Sequence, residues 1–316
     1  MVSMEQEFKI RGAPVGEEPK SPIHKAIHKQ RQAKEKPEPK QEEPVQIEQE
    51  SSVEEHNEPP HRVAVVTGAS SGIGKAVALH LASSNFDLML VARNKEALKE
   101  VQAELAKYRV KVIIRECDVT KIVQVHETIN HAAKAFGHIN VLVNCAGYGV
   151  YGPIETMRLE DINGQMLTNY FGSVLFIKES LAHLKETKGV IVNIASIAGL
   201  VGVPQMAAYS ASKHAIVGLS ESLRWELSNT GVAVCCVCPG KVDTKFFENE
   251  SFKDVAYAQD KGIMPSDVAR VVDKAIHERK ALYTVPSYHK LELFMGRLLP
   301  ESWIRKQVKS KMKQDL

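Results

Sequence analysis

Tyr209 and Lys213 stand four residues apart in "YSASK", inside the run "MAAYSASKHAIVGLSESLRWEL", whose apolar residues repeat at helical spacing. On a helix, positions i and i+4 share a face, so the phenol and the ammonium become neighbours. An isolated pair of this kind is ordinarily a core Tyr beside a solvated Lys. It becomes chemistry when a nucleotide site lies alongside, a second polar group shares the substrate oxygen, and the phenol has a reason to give or take a proton.

A nucleotide site is written into "TGASSGIGKAV", which follows the first apolar strand and places Gly68, Gly72 and Gly74 at a strand-to-helix junction. Gly68 permits the tight turn, Gly72 admits a pyrophosphate to the backbone, and Gly74 lets the helix pack on the strand. The free N–H groups and positive dipole end of that helix suit an anion. The spacing is G-x-x-x-G-x-G with no G-K-[ST], which argues against a P-loop triphosphatase. The second strand ends "LVARN", with Arg93 where an enzyme using NAD carries an acidic residue. A guanidinium fork suits a 2′-phosphate, so NADP(H) is favoured over NAD(H).

Seven apolar runs supply strands: 63–67, 88–92, 110–114, 139–144, 189–195, 232–238 and 281–285. Helical patterns fill the intervals at 73–84, 94–107, 121–136, 159–184, 207–229 and 266–279. Apolar strands separated by helices predict an α/β doubly wound parallel sheet, in the Rossmann order 3-2-1-4-5-6 with a seventh strand at the edge.

Composition divides the 316 residues unevenly. Residues 1–60 hold thirteen acidic against nine basic residues, one Phe and no Tyr, Trp or Cys, which predicts a disordered Lys/Glu/Pro/Gln-rich tail. Residues 61–287 form the predicted catalytic domain. The last 256 residues hold 32 basic against 25 acidic residues, a balance that does not call for nucleic acid. No apolar run reaches the roughly 18 residues of a spanning helix, and the N-terminus lacks the apolar core of a secretory signal, so a cytoplasmic protein is expected. Cys117, Cys145, Cys235, Cys236 and Cys238 lie in or beside strand-like runs. Alternation on a strand splits Cys235 from Cys236, which favours reduced core thiols over a metal site.

Taken in order, "TGASSGIG", "NCAG" (144–147), "NIAS" (193–196), "YSASK" and "PGKVDT" (239–244) resemble the short-chain dehydrogenase/reductase family in its single-domain form, across roughly residues 62–250. The resemblance implies a catalytic set of Asn169, Ser196, Tyr209 and Lys213. Ser196 would polarise a substrate carbonyl and Tyr209 would exchange the proton. Lys213 would hold the nicotinamide ribose and lower the phenol toward neutrality, which takes about 4 kcal/mol, while Asn169 organises water behind it. The resemblance also implies cofactor contacts from Gly68, Ser70, Ser71, Gly72, Ile73 and Gly74 at the phosphate turn. Further contacts fall to Asp118 and Val119 near the adenine, to Asn144, Ala146 and Gly147 along the cofactor, and to Pro239, Gly240, Val242 and Thr244 near the carboxamide. Cys145 stands where a second Asn is common in the family.

The function these readings imply is an NADP(H)-dependent interconversion of carbonyl and alcohol by hydride transfer on a small molecule, in a homodimer or homotetramer. Two alternatives stand beside it: an inactive nucleotide-binding scaffold or sensor, whose usual sign is loss of Ser, Tyr or Lys, and an epimerase or dehydratase using the same three residues. Phe246, Phe247 and Tyr257 in the loop after Thr244 suggest an apolar guest. Residues 288–316 read as two amphipathic basic helices, suited either to packing on the core or a sister subunit, or to lying on an anionic membrane as a peripheral contact.

Overall fold

Apolar β-branched runs alternating with amphipathic stretches bury their faces together when the strands align in parallel and the helices cover both sides. The computed structural model, which describes residues 61–288, has this arrangement. Strands β1 (Arg62–Thr67), β2 (Phe86–Ala92), β3 (Val112–Glu116), β4 (Val141–Asn144), β5 (Val190–Ile194), β6 (Ala233–Pro239) and β7 (Leu282–Val285) form one sheet in the order β3-β2-β1-β4-β5-β6-β7. Every pairing is parallel. This is the doubly wound fold and the strand order that the sequence predicts. The predicted tail at 1–60 and the helices predicted beyond Tyr288 lie outside the described residues.

The helices are α1 (Gly72–Ser83), α2 (Lys95–Leu105), α3 (Ile122–Phe136), α4 (Leu159–Met166), α5 (Gly172–Glu186), α6 (Ala207–Glu226), α7 (Ala256–Gln259) and α8 (Pro265–Glu278). Side chains alternate across a strand, so β1 feeds two cores. Ala64 and Val66 meet Leu81 of α1, Leu98 of α2 and Val272 of α8, whereas Val65 meets Ile129 of α3 and Phe176 of α5. The same alternation sends Cys235 toward α8 and Cys236 and Cys238 toward α6.

Strand β2 begins two residues earlier than predicted and β4 two residues later, and two further departures have visible causes. Strand β3 begins two residues later than predicted, because Asp87 Oδ1 accepts the Lys111 N–H at 2.7 Å and the paired register starts with Leu88 opposite Val112. The single helix predicted over 159–184 is divided into α4 and α5 by a π-turn at Leu167–Phe171. Such a turn admits an extra residue and is common at functional sites. Here it carries Asn169, 1 % exposed, whose side chain bonds outward from the helix rather than along it.

A buried polar line ties the sheet to α6. Asn144 Nδ2 donates to Asn193 Oδ1 at 2.9 Å, Asn193 Nδ2 donates to Ser220 Oγ at 2.9 Å, and Ser220 Oγ donates to the Ile216 carbonyl at 2.7 Å. The line crosses from β4 through β5 to α6, the helix that carries Tyr209 and Lys213. Asn193→Ala strands a buried donor on Asn144 and an acceptor on Ser220, each costing about 1–3 kcal/mol. Urea unfolding of the variant should therefore show a loss of about 2–6 kcal/mol. An unchanged midpoint would show that the line contributes no net stability.

Candidate active site

Two adjoining cavities open at the carboxyl ends of the central strands, where chain order reverses between β1 and β4 and open α/β sheets bind ligands. The larger, of about 560 Å³, runs from Arg93 and Asp118 past the Gly turn to Tyr209 and Lys213. The smaller, of about 240 Å³, is mostly apolar and lies beyond Ser196. Tyr209, Ala195, Thr244, Phe246 and Ile73 line both.

At the phosphate end the backbone is bent as only glycine accepts readily. Gly68 has φ +66°, and a Cβ on it would lie 2.9 Å from the Ala146 backbone. Gly74 packs so closely on the Gly68 carbonyl that a side chain would collide with it. Thr67 Oγ1 accepts the N–H groups of Cys145 and Ala146 at 3.0 and 3.1 Å, fixing the β4 turn against the β1 turn. The first turn of α1, which begins at Gly72, opens onto the cavity without a side-chain cap from Ser71. This cradle fits a pyrophosphate.

At the far end of the same cavity stand Arg93, Asp118, Val119 and Tyr148. Burial pushes the Asp118 carboxyl upward, but hydrogen bonds from the Thr120 N–H and hydroxyl, at 2.9 and 2.8 Å, with the charges of Arg93 and Lys121, hold it below its ordinary value. The Arg93 guanidinium is exposed and forms no ion pair among the described residues.

Ser196 ends the β5 segment and Tyr209 stands in the first turn of α6, which places a hydroxyl and a phenol together on the lining of the smaller cavity, with Ser196 Oγ donating to the Pro239 carbonyl at 3.4 Å. Ser196 Oγ also caps its own short helix, accepting the Ala198 N–H at 3.1 Å. Lys213, 5 % exposed, donates to the Ile194 carbonyl at 2.9 Å, and its Nζ lies 5.7 Å from the centre of the Tyr209 ring. The anticipated lowering of the phenol is not found in this structure: burial raises Tyr209, the neighbouring Ser196 hydroxyl opposes it, and the net direction is upward. Lys213 does not reverse this, since burial depresses the ammonium itself. Tyr209 is therefore a protonated phenol at neutral pH.

Asn169 lines neither cavity. Its Oδ1 accepts the Tyr148 N–H at 3.0 Å, while its Nδ2 donates to the Tyr148 carbonyl and to Ser212 Oγ, both at 2.9 Å. It clamps the β4 turn to α6. Gly147 lies between them, and a Cβ there would stand 2.9 Å from Asn169 Oδ1 and 3.5 Å from Lys213 Nζ.

The structure brings Gly68, Ser70, Ser71, Gly72, Ile73, Gly74, Arg93, Asp118, Val119, Ala146, Gly147, Tyr209, Lys213 and Thr244 together around the larger cavity. Pro239, Gly240 and Val242, assigned to the cofactor from the sequence, line the smaller cavity instead, and Asn144 is buried beneath the cleft in the polar line to Asn193. Sequence reasoning did not single out Thr67, Tyr148, Met206 or Lys241. Thr67 carried a signal, a polar residue closing an otherwise apolar strand. Met206 and Lys241 carried none, because their places on the pocket wall depend on long-range packing.

A family model described as short chain dehydrogenase matches residues 62–254. An uncharacterized oxidoreductase of Staphylococcus aureus (strain MRSA252) is 34 % identical over 220 residues, covering 69 % of this chain and 92 % of its own. Among solved structures, a short chain dehydrogenase/reductase from Burkholderia phymatum in complex with NAD is 29 % identical with a TM-score of 0.68, covering 73 % of this chain and 92 % of its own. An alcohol dehydrogenase from the archaeon Thermococcus sibiricus, complexed with 5-hydroxy-NADP, is 28 % identical with a TM-score of 0.65 over 71 % of this chain and 95 % of its own. A doubly wound fold with a phosphate cradle and a Ser-Tyr-Lys cluster at one sheet edge thus meets agreement from sequence and structure. The chain belongs to the short-chain dehydrogenase family and is an oxidoreductase of that family.

The cradle makes a mutational forecast. Gly68→Ala places a Cβ against the Ala146 backbone at a positive φ, at a cost of about 1–3 kcal/mol. Displacement of either turn should weaken dinucleotide binding at least tenfold by fluorescence titration, and unaltered affinity would show that the two turns are not mutually fixed.

Proposed function

We propose that the protein is an NADP(H)-dependent oxidoreductase interconverting a carbonyl and an alcohol, with Tyr209 as the acid/base. One observation carries the reading: Ser196 and Tyr209 stand together where a dinucleotide-sized cleft meets a small apolar pocket, and Tyr209 lines both. A nicotinamide bound in the cleft supplies or accepts the hydride. Gly72, Ile73 and Gly74 would face its phosphates, Arg93 its 2′-phosphate, and Lys213 and Thr244 its nicotinamide end.

In the direction of reduction, Ser196 donates to the substrate oxygen and steadies charge as it develops there. Tyr209 transfers its phenolic proton to the same oxygen, giving the alcohol. The buried Lys213 ammonium stabilises the phenolate left behind, and in the reverse direction the phenolate accepts the alcohol proton. Both steps are short transfers inside a pocket whose low polarity strengthens each electrostatic contact. Phe246 packs edge-on against the Tyr209 ring, with centroids 5.3 Å apart, and holds it toward Ser196. Exposed Leu159, Leu167 and Phe171 on α4 and the π-turn support the reading of a homo-oligomer.

Loss of NADPH absorbance with a panel of ketones and aldehydes tests the activity. Tyr209→Phe should retain dinucleotide affinity and lose about 10²–10⁴-fold in turnover. Retention of most of the activity would remove Tyr209 from the role of acid.

Arg93→Asp should shift kcat/KM from NADPH toward NADH, because a carboxylate repels a 2′-phosphate and accepts from a ribose hydroxyl. A wild-type enzyme that already prefers NADH would overturn the cofactor assignment.

A further inference from the structure

The smaller cavity is walled by apolar and aromatic groups, and among the described residues lining it Lys241 alone carries a charge. Lys241 follows the Pro239-Gly240 turn that ends β6, on the same wall as the Ser196–Tyr209 pair. Its Nζ is bracketed by two other lining groups, 5.2 Å from the Phe247 ring centre and 5.4 Å from that of Tyr257. It donates one hydrogen bond, to the Ala258 carbonyl at 3.1 Å. An ammonium has three donors, so two remain.

No carboxylate neutralises this cation among the described residues. Asp243 and Asp260 act on it only through space, and Asp243 Oδ1 is taken by the Gly262 N–H at 2.6 Å. Burial holds the ammonium somewhat below its ordinary value, Asp243 and Asp260 oppose that lowering, and the side chain is only half-buried. Aromatic faces hold a cation without consuming its hydrogen bonds. The result is a fixed, charged donor at the wall of a pocket that is otherwise apolar, the arrangement by which ligand sites fix orientation.

Resting on the carbonyl/alcohol reading above, we propose that Lys241 is a specificity-determining residue that reads an anionic group, and that the substrate is an amphipathic carbonyl or alcohol compound with an acidic end. The apolar body lies among Phe246, Phe247 and Met206, the reacting oxygen meets Ser196 and Tyr209, and the acid accepts from Lys241. This refines the apolar guest suggested by the sequence: the aromatic residues hold the body of the molecule, while Lys241 in the wall selects its end.

The test uses the full chain with NADPH and matched pairs of aryl ketones, each a carboxylic acid and its methyl ester with the acid at varied distance from the carbonyl. For at least one pair the wild type should favour the acid at least tenfold in kcat/KM, the size of one charge-assisted hydrogen bond. Lys241→Met, which keeps the apolar stem, should bring that ratio near one. Lys241→Arg should keep a preference and Lys241→Glu should reverse it. Because both substrates are measured on the same preparation, the ratio is independent of the folded fraction.

Ratios near one in the wild type, or acid and ester rates falling together in Lys241→Met, overturn the proposal and leave Lys241 as a latch on the 245–260 segment. If no ketone is reduced, the carbonyl reading fails by itself, and calorimetric binding of a 4-alkylbenzoate against its methyl ester decides the Lys241 assignment. Binding of the acid at least tenfold tighter, lost in Lys241→Met, supports it; equal binding overturns it.

Discussion

Holding the Lys213 ammonium inside the protein is the constraint around which this site is arranged. A buried cation loses hydration, and here the hydrogen-bond partner is a main-chain carbonyl, that of Ile194 at 2.9 Å, rather than a carboxylate. Burial pushes the neighbouring Cys145 thiol up to about 12, so it stays neutral and supplies no counter-charge. A position this unfavourable must be enforced from several sides. Gly199 lacks a side chain that would collide with Lys213, since a Cβ there would lie 2.6 Å from its carbonyl oxygen, and Gly147 lacks one that would press on Asn169 Oδ1 at 2.9 Å. Asn169 fixes the neighbouring turn to Ser212, and the Asn144–Asn193–Ser220 line fixes the helix to the sheet. Depressed lysines and raised phenols cluster at functional sites for this reason.

The two cavities divide the chemistry by polarity. The larger is bounded by main-chain N–H groups and by charge at its far end, terms that do not rearrange when a ligand arrives. The smaller is bounded by the segment after Thr244, where Phe246, Phe247 and Phe252 lie with centroids 5.1 to 5.6 Å apart and pack back on Tyr209. Edge-to-face contacts of this kind add specificity to apolar burial. The wall that shapes the substrate pocket is thus the same wall that orients the phenol. A change in substrate shape at Phe246 is felt by Tyr209.

Legibility in the sequence followed locality. The alternation of strands and helices, the Gly turn and the i,i+4 relation of Tyr209 to Lys213 are short-range patterns, and each is an element or junction of the structure. The π-turn was not legible, because Leu167–Phe171 continues the helical period on its flanks and the extra residue is selected by tertiary bonds from Asn169 to Tyr148 and Ser212. The start of β3 was displaced by one side-chain bond from Asp87, a residue on another strand. The upward direction of Tyr209 in this structure has a similar origin. Proximity of a cation is readable from spacing, whereas burial of both partners depends on what the rest of the chain places over them.

Scaffold and selectivity therefore rest on different parts of the molecule. The cradle and the Ser-Tyr-Lys cluster are held by the sheet edge, by glycines with no room for a side chain, and by buried hydrogen bonds, so few substitutions are tolerated there. The pocket wall is held by aromatic contacts and by bonds within or near its own loop, such as Lys241 to the Ala258 carbonyl and the Tyr151 N–H to Ser251 Oγ, in a segment whose helices are short, Lys245–Glu248, Glu250–Phe252 and Ala256–Gln259. Segments of that kind vary with little penalty to the fold. A cation between Phe247 and Tyr257 can therefore be exchanged without disturbing the hydrogen bonds behind Lys213, and substrate choice can change while the proton-transfer geometry stays fixed.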